Sequence, residues 1–160
     1  MRAIDETSLA DTLPGTWSIA ATNFPMWLSG QRRQPRFSYV LLSQSPLIFS
    51  DDVSYTDAEG AERHILGQDT FKHNEFVWRG RGRLRFFASR WTICGISDDG
   101  TIAVVRFSKS IATPGGLDIV VREGVEHPEL RALIAGSTVD YGLSPEDFGS
   151  LTWLYGTGRG

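Results

Sequence analysis

Leu13-Pro14-Gly15-Thr16-Trp17, running on as Ser18-Ile19-Ala20-Ala21-Thr22, is the stretch whose reading decides the fold. The Pro-Gly pair breaks the chain, and a short alternating run led by a large aromatic comes directly after it. In a strand, Trp17, Ile19 and Ala21 share one face, and Ser18, Ala20 and Thr22 the other. A glycine two residues before the indole allows a tight turn while the ring drops into an enclosed space. Gly-x-Trp alone is a weak signal, and the residues C-terminal to it give it meaning.

Those residues form a series of short strands. Arg36–Leu41 places Phe37, Tyr39 and Leu41 on one face, after an apolar cluster at Phe24–Leu28 and a polar connection at 31–35. Leu47–Tyr55 places Phe49, Asp51, Val53 and Tyr55 together and turns at Asp57-Ala58-Glu59-Gly60 into a strand over Glu62–Thr70. Glu75–Arg79 and Arg83–Ser89 read as two strands around Gly80-Arg81-Gly82. Arg90–Ser97 and Thr101–Ser108 form a hairpin closed by Asp98-Asp99-Gly100, and Leu117–Arg122 is one more strand. The period then changes. Leu130, Leu133 and Ile134 have helical spacing within 127–136, with Gly136 as the stop, and Ser144-Pro145 begins a second helix. Leu151–Tyr155 reads as a last short strand.

About eight strands in sequence with hairpin-length connections predict an all-β, up-and-down antiparallel barrel with a C-terminal helix. Such a barrel removes exposed edges by closing on itself. The domain spans 1–160, with a polar lead-in at 1–12 and a frayed tail at 156–160. A barrel of this size holds side chains or one small ligand inside.

Composition narrows the function. The 160 residues carry a net charge of −3, which disfavours a dedicated nucleic-acid binder. Cys94 is the single cysteine, so no internal disulfide forms. The first ten residues lack the apolar run of a signal peptide, and no segment approaches a membrane span, so a cytoplasmic protein without stable membrane insertion is expected. His64, His73 and His127 show no metal-ligand spacing, and neither a metal nor a cofactor is expected. Whether the barrel forms a homodimer is left open.

Three features resemble the lipocalins of the calycin superfamily: Gly15-Thr16-Trp17 after a short lead-in, the order of elements after Trp91, and the overall spacing. The run Leu117–Arg122, then a helix, then Gly142-Leu143 and Asp147-Phe148 into a last strand, is similar in pattern to bacterial outer-membrane lipocalins and their plant relatives. The family's second signature turn is represented by Asp98-Asp99-Gly100. The resemblance implies that Arg122 lies across Trp17 and closes the barrel floor. It also implies a small hydrophobic ligand, although a few members of the superfamily are enzymes.

If Arg122 reaches inward, Asp118 does too, and a carboxylate in an apolar cavity has a raised pKa suited to general acid work or ligand anchoring. Asp51 faces the same way as Phe49 and Val53, and Tyr39 and Tyr55 are donors on apolar faces. These four are the acid/base candidates for a cyclase or isomerase acting on a polyketide- or terpenoid-like molecule. The plainer alternatives are an aspartate in water or paired with an arginine, and core tyrosines with satisfied hydroxyls. Phe37, Trp78, Phe86, Trp91 and Phe107 are expected on inner faces as ligand contacts, with Met26 and Trp27 at the mouth. The Phe24–Leu28 cluster reads as a lid, a docking surface or an ordinary covering loop. Arg79, Arg81, Arg83 and Arg85 share a face if their segment is extended throughout, and a solvated outer face is the economical account.

Overall fold

The computed structural model describes residues 1–110 and 114–154. Tyr155 of the expected last strand and the 156–160 tail lie outside the described residues. The chain runs α1 (Glu6–Thr12), β1 (Gly15–Thr22), α2 (Pro25–Leu28), β2 (Arg32–Gln44), β3 (Leu47–Asp57), β4 (Glu62–Lys72) and β5 (Glu75–Gly80). After a 3-10 turn at Gly82–Leu84 come β6 (Ala88–Ile96), β7 (Ile102–Phe107), β8 (Gly116–Arg122), α3 (Leu130–Ala135), α4 (Pro145–Ser150) and β9 (Thr152–Trp153). Strands β1 to β8 pair antiparallel in sequence order, and the β1–β2 and β1–β8 pairings close the sheet into a barrel. Among the described residues no helix is long and apolar enough to cross a membrane.

The floor is built as the Gly-x-Trp reading requires. Trp17 is fully buried and sits opposite Arg122 in the ladder. The Arg122 guanidinium lies 4.1 Å from the indole centroid and donates to the carbonyls of Thr12 and, at 2.6 Å, Pro14. The indole N–H donates to Leu13 O at 2.9 Å. Gly15 adopts φ +116°, and a Cβ there would come within 2.5 Å of the guanidinium, so only glycine leaves the arginine its seat. The lead-in is therefore a structural element. Asp5 caps α1 through the Ser8 N–H, and Leu9 and Leu13 bury against Trp17 beneath the barrel.

Two apolar clusters lie on either side of β8. Val120 faces the barrel interior, while Leu117, Ile119 and Val121 face outward beneath Leu130, Ile134, Tyr141 and Leu143. Burial on both faces explains why this strand reads as a nearly continuous apolar run. Helix α4 is fixed by a capping box between Ser144 and Asp147, and Arg106 pairs with Asp147 at 2.8 Å.

Four local expectations are corrected. A β-bulge between Ile19 and Ala21 shifts the register of β1 against β8, so Ala20 and Ala21 both join the outer cluster and Thr22 stands opposite Asp118. The 31–35 segment largely belongs to β2, with an irregularity between Arg33 and Arg36, rather than to a connection. Arg83–Ser89 is not a strand: Gly80 is buried against Leu84, Gly82 takes φ +60°, and the chain turns before β6 begins. Phe86 is consequently 80% exposed, which removes it from the inner wall, and the four arginines do not share an extended face. Finally, the helix expected from His127 begins at Leu130, after a turn.

Candidate functional site

The upper half of the barrel encloses a cavity of about 170 Å³. Its walls carry aromatic faces from five elements: Phe37 of β2, Trp78 of β5, Trp91 of β6, Phe107 of β7 and Trp27 of α2. Phe24 and α2 sit over the open end. Pro25 occupies the first turn of α2, where its missing N–H costs nothing, and the short helix turns Met26 and Trp27 onto the cavity. Trp27 is only 5% exposed and packs edge-on against Tyr55 at 6.0 Å, so it is a cover rather than a docking knob. Phe24 meets Phe107 in a T-shaped contact at 5.2 Å and lies directly on Gly116, where any Cβ would strike its ring.

Into this apolar shell project carboxyl groups. Asp118 is 0% exposed and lines the cavity, and among the described residues the Thr22 hydroxyl is the side chain beside its otherwise unpartnered oxygens. Burial pushes its pKa up to about 7, opposed by a hydrogen bond from the Thr22 hydroxyl. The Thr22 oxygen itself accepts the Phe24 N–H at 3.0 Å, which ties the lid to the aspartate's strand partner. Neither plain alternative for this residue applies, because Asp118 is neither in water nor paired with an arginine.

Asp51 also lines the cavity, and beside it is a residue that alternation within one strand did not single out, Asp69. The two carboxyls are within hydrogen-bonding reach of each other. Burial, reinforced by Asp69, holds the Asp51 pKa well above the ordinary carboxylate range. Burial raises Asp69 to about 6, offset by hydrogen bonds from Asp51 and Trp91. The Trp91 indole N–H donates to Asp69 Oδ1 at 2.9 Å, and no donor reaches Asp51 Oδ1 or Asp69 Oδ2. A proton held between the two carboxyls supplies the missing donor, and the pair then carries a single negative charge. Asp69 was legible in principle. The hairpin at Asp57–Gly60 sets Phe49 opposite Asp69 and Asp51 opposite Gly67, so Asp69 must face inward with Phe49.

Tyr39 is buried amid the three aspartates, and its pKa is raised well above 10.0 by burial and then by their charges. Its ring stacks on Trp91 at 5.8 Å, and Trp91 stacks in turn on Phe76 at 4.3 Å. Tyr55 stands apart near the rim, under the Arg32 guanidinium at 5.2 Å and against Trp27, and does not line the cavity. The buried Trp78 indole N–H has no partner, and its ring lies on Gly67, where no side chain would fit. Of the expected site residues, the fold thus brings together Asp118, Asp51, Tyr39, Phe37, Trp78, Trp91, Phe107, Trp27 and Met26, and leaves out Tyr55 and Phe86. Among the described residues no group of three or more His, Cys, Asp or Glu side chains is placed to hold a metal ion.

No family model matches the chain, and no curated protein sequence matches it. Solved structures do. Lobster apocrustacyanin A1 superposes with a TM-score of 0.63 at 12% identity, covering 94% of this chain and 85% of that one. The bovine lipocalin allergen Bos d 2 gives 0.58 at 11% identity, covering 91% and 93%. The cockroach allergen Per a 4 gives 0.59 at 14% identity, covering 86% and 83%. The chain therefore has the lipocalin fold, a closed eight-stranded antiparallel barrel.

Proposed function

We propose that this protein binds one small, mainly apolar molecule inside the barrel, beneath the Phe24–Leu28 segment. The observation that carries the reading is the hollow itself: about 170 Å³ walled by aromatic rings. Cavities of about 150 Å³ accept a benzene ring. They fall below the ~300–1,000 Å³ of sites for larger ligands. The guest is therefore of one-ring size unless α2 swings out. At about 0.8 kcal/mol per buried carbon, a seven-carbon ring compound gains about 5–6 kcal/mol, a dissociation constant of about 0.1 mM. The lipocalin fold, a closed cup with a sealed floor, supports the same reading. Titration of one-ring compounds against tryptophan fluorescence tests it, since Trp27, Trp78 and Trp91 line the cavity. Saturable quenching with a rise in melting temperature is expected, and neither response to any such compound would end the proposal.

A second reading uses the same cavity for acid/base catalysis, as in a cyclase or isomerase. Asp118 favours it, being a buried acid on the cavity wall with a pKa of about 7. Under this reading Asp118→Asn abolishes product formation while a substrate analogue still binds. Under the binding reading the substitution changes affinity alone.

A further inference from the structure

We infer that the cavity selects a protonated amine carried on a single apolar ring, with Asp118 as the counter-ion and the aromatic walls as a cation-stabilising cage. The inference rests on the binding proposal above and names the class of molecule that the site takes. Its starting point is the set of unpartnered polar atoms on the described cavity-lining residues: three acceptors, both oxygens of Asp118 and Oδ1 of Asp51, against one donor, Nε1 of Trp78. A buried acceptor without a donor destabilises the empty site, and more so when it is charged. The Asp51–Asp69 pair lowers that cost by sharing a proton. Asp118 has no carboxyl neighbour of that kind, and the Thr22 hydroxyl beside it, which accepts the Phe24 N–H, has a single proton to give, enough for one of the two oxygens. The other oxygen has no donor among the described residues, and Asp118 borders the cavity.

The sign of the charge follows from the lining. Among the described residues no lysine, arginine or histidine contributes to the cavity wall. Thr22 of β1 stands opposite Asp118, Tyr39 of β2 feels its charge, and Asp51 of β3 lines the same cavity; none of them is cationic. An anionic guest would meet only like charge. A neutral apolar guest would leave the carboxyl oxygens bare. An ammonium group supplies the donors, and it gains further from the Trp27 and Trp78 rings that line the cavity, an interaction that strengthens where water is excluded. The volume limits the body carrying it to about one ring.

Three probes on one phenylethyl scaffold test the idea: the isosteric pair phenethylamine and propylbenzene, which end in a cation and a methyl group, and 3-phenylpropanoate, which ends in a larger anion. At about pH 8 the protein is expected to bind phenethylamine at least ~10-fold more tightly than propylbenzene, with the anion weakest. That preference should fall by up to ~10-fold per pH unit below about 7, as Asp118 takes up its proton. The ratio should approach one in Asp118→Asn. If propylbenzene binds as tightly as phenethylamine, the inference fails while cavity binding stands. If none of the three binds, both fail. Preference for the amine that survives unchanged in Asp118→Asn, or in the wild type down to about pH 5, also overturns the inference, and this last measurement needs no variant to fold.

Discussion

Asp118→Asn should stabilise the ligand-free protein, and by an amount that depends on pH. Folding raises the pKa of this carboxyl from 3.8 to about 7 because burial penalises its charged form. Between those two values the native state keeps a proton that the unfolded chain has released. The contribution is thus fully present below the unfolded pKa and is lost as pH rises through about 7. Each tenfold change in proton affinity is about 1.4 kcal/mol, so the full rise corresponds to about 4 kcal/mol. Water entering a 170 Å³ space, at ~30 Å³ per molecule, would relieve part of it, leaving about 2–4 kcal/mol. Asparagine keeps the shape of the neutral acid and cannot ionise. Urea unfolding followed by tryptophan fluorescence should therefore show the variant and wild type within about 0.5 kcal/mol at about pH 4, and the variant ahead by about 2 kcal/mol or more at about pH 8. That is a large share of the ~5–15 kcal/mol holding a domain together. The Asp51–Asp69 pair titrates in both proteins and cancels from the difference. A difference that stays flat across this range would mean that Asp118 is solvated, and the account of the cavity would be wrong.

Other substitutions probe other parts of the cup. Arg122→Ala removes the contact on Trp17 and the two carbonyl bonds that tie α1 to the floor, and should cost about 3–5 kcal/mol in chemical denaturation. Trp91→Phe takes away the donor to Asp69 and should destabilise by about 1–3 kcal/mol at about pH 8 but less at about pH 5, where Asp69 is protonated. Phe86→Ser, on an exposed turn, should change neither stability beyond about 0.5 kcal/mol nor the binding of any one-ring probe.

The parts of this arrangement legible in the sequence are those governed by parity within one strand. Asp118, Val120 and Arg122 share a face by alternation, and Trp17 needs a partner at the floor, so the resemblance and the residues agree on that end of the barrel. What alternation cannot supply is a change of parity. The bulge after Ile19 carries Ala21 to the outer face and brings Thr22 beside Asp118 with no mark in the residue types. The Arg-Gly-Arg-Gly-Arg segment alternates like a strand but contains two glycines that let it curl, so Phe86 turns outward. Asp69 was hidden for a different reason. Its inward direction emerges only when β4 is registered against β3, a long-range relation that inspection of one strand does not contain.

Crystals exposed to bromobenzene offer the most direct test, because bromine scatters anomalously and the molecule fits the volume assigned to the hollow. The expected result is one bromine site inside the barrel, in contact with the rings of Trp78, Trp91 or Phe107. Bromine found only on the outer surface, or an interior occupied by Trp27 and its neighbours, would contradict the claim that this barrel is built to hold a guest.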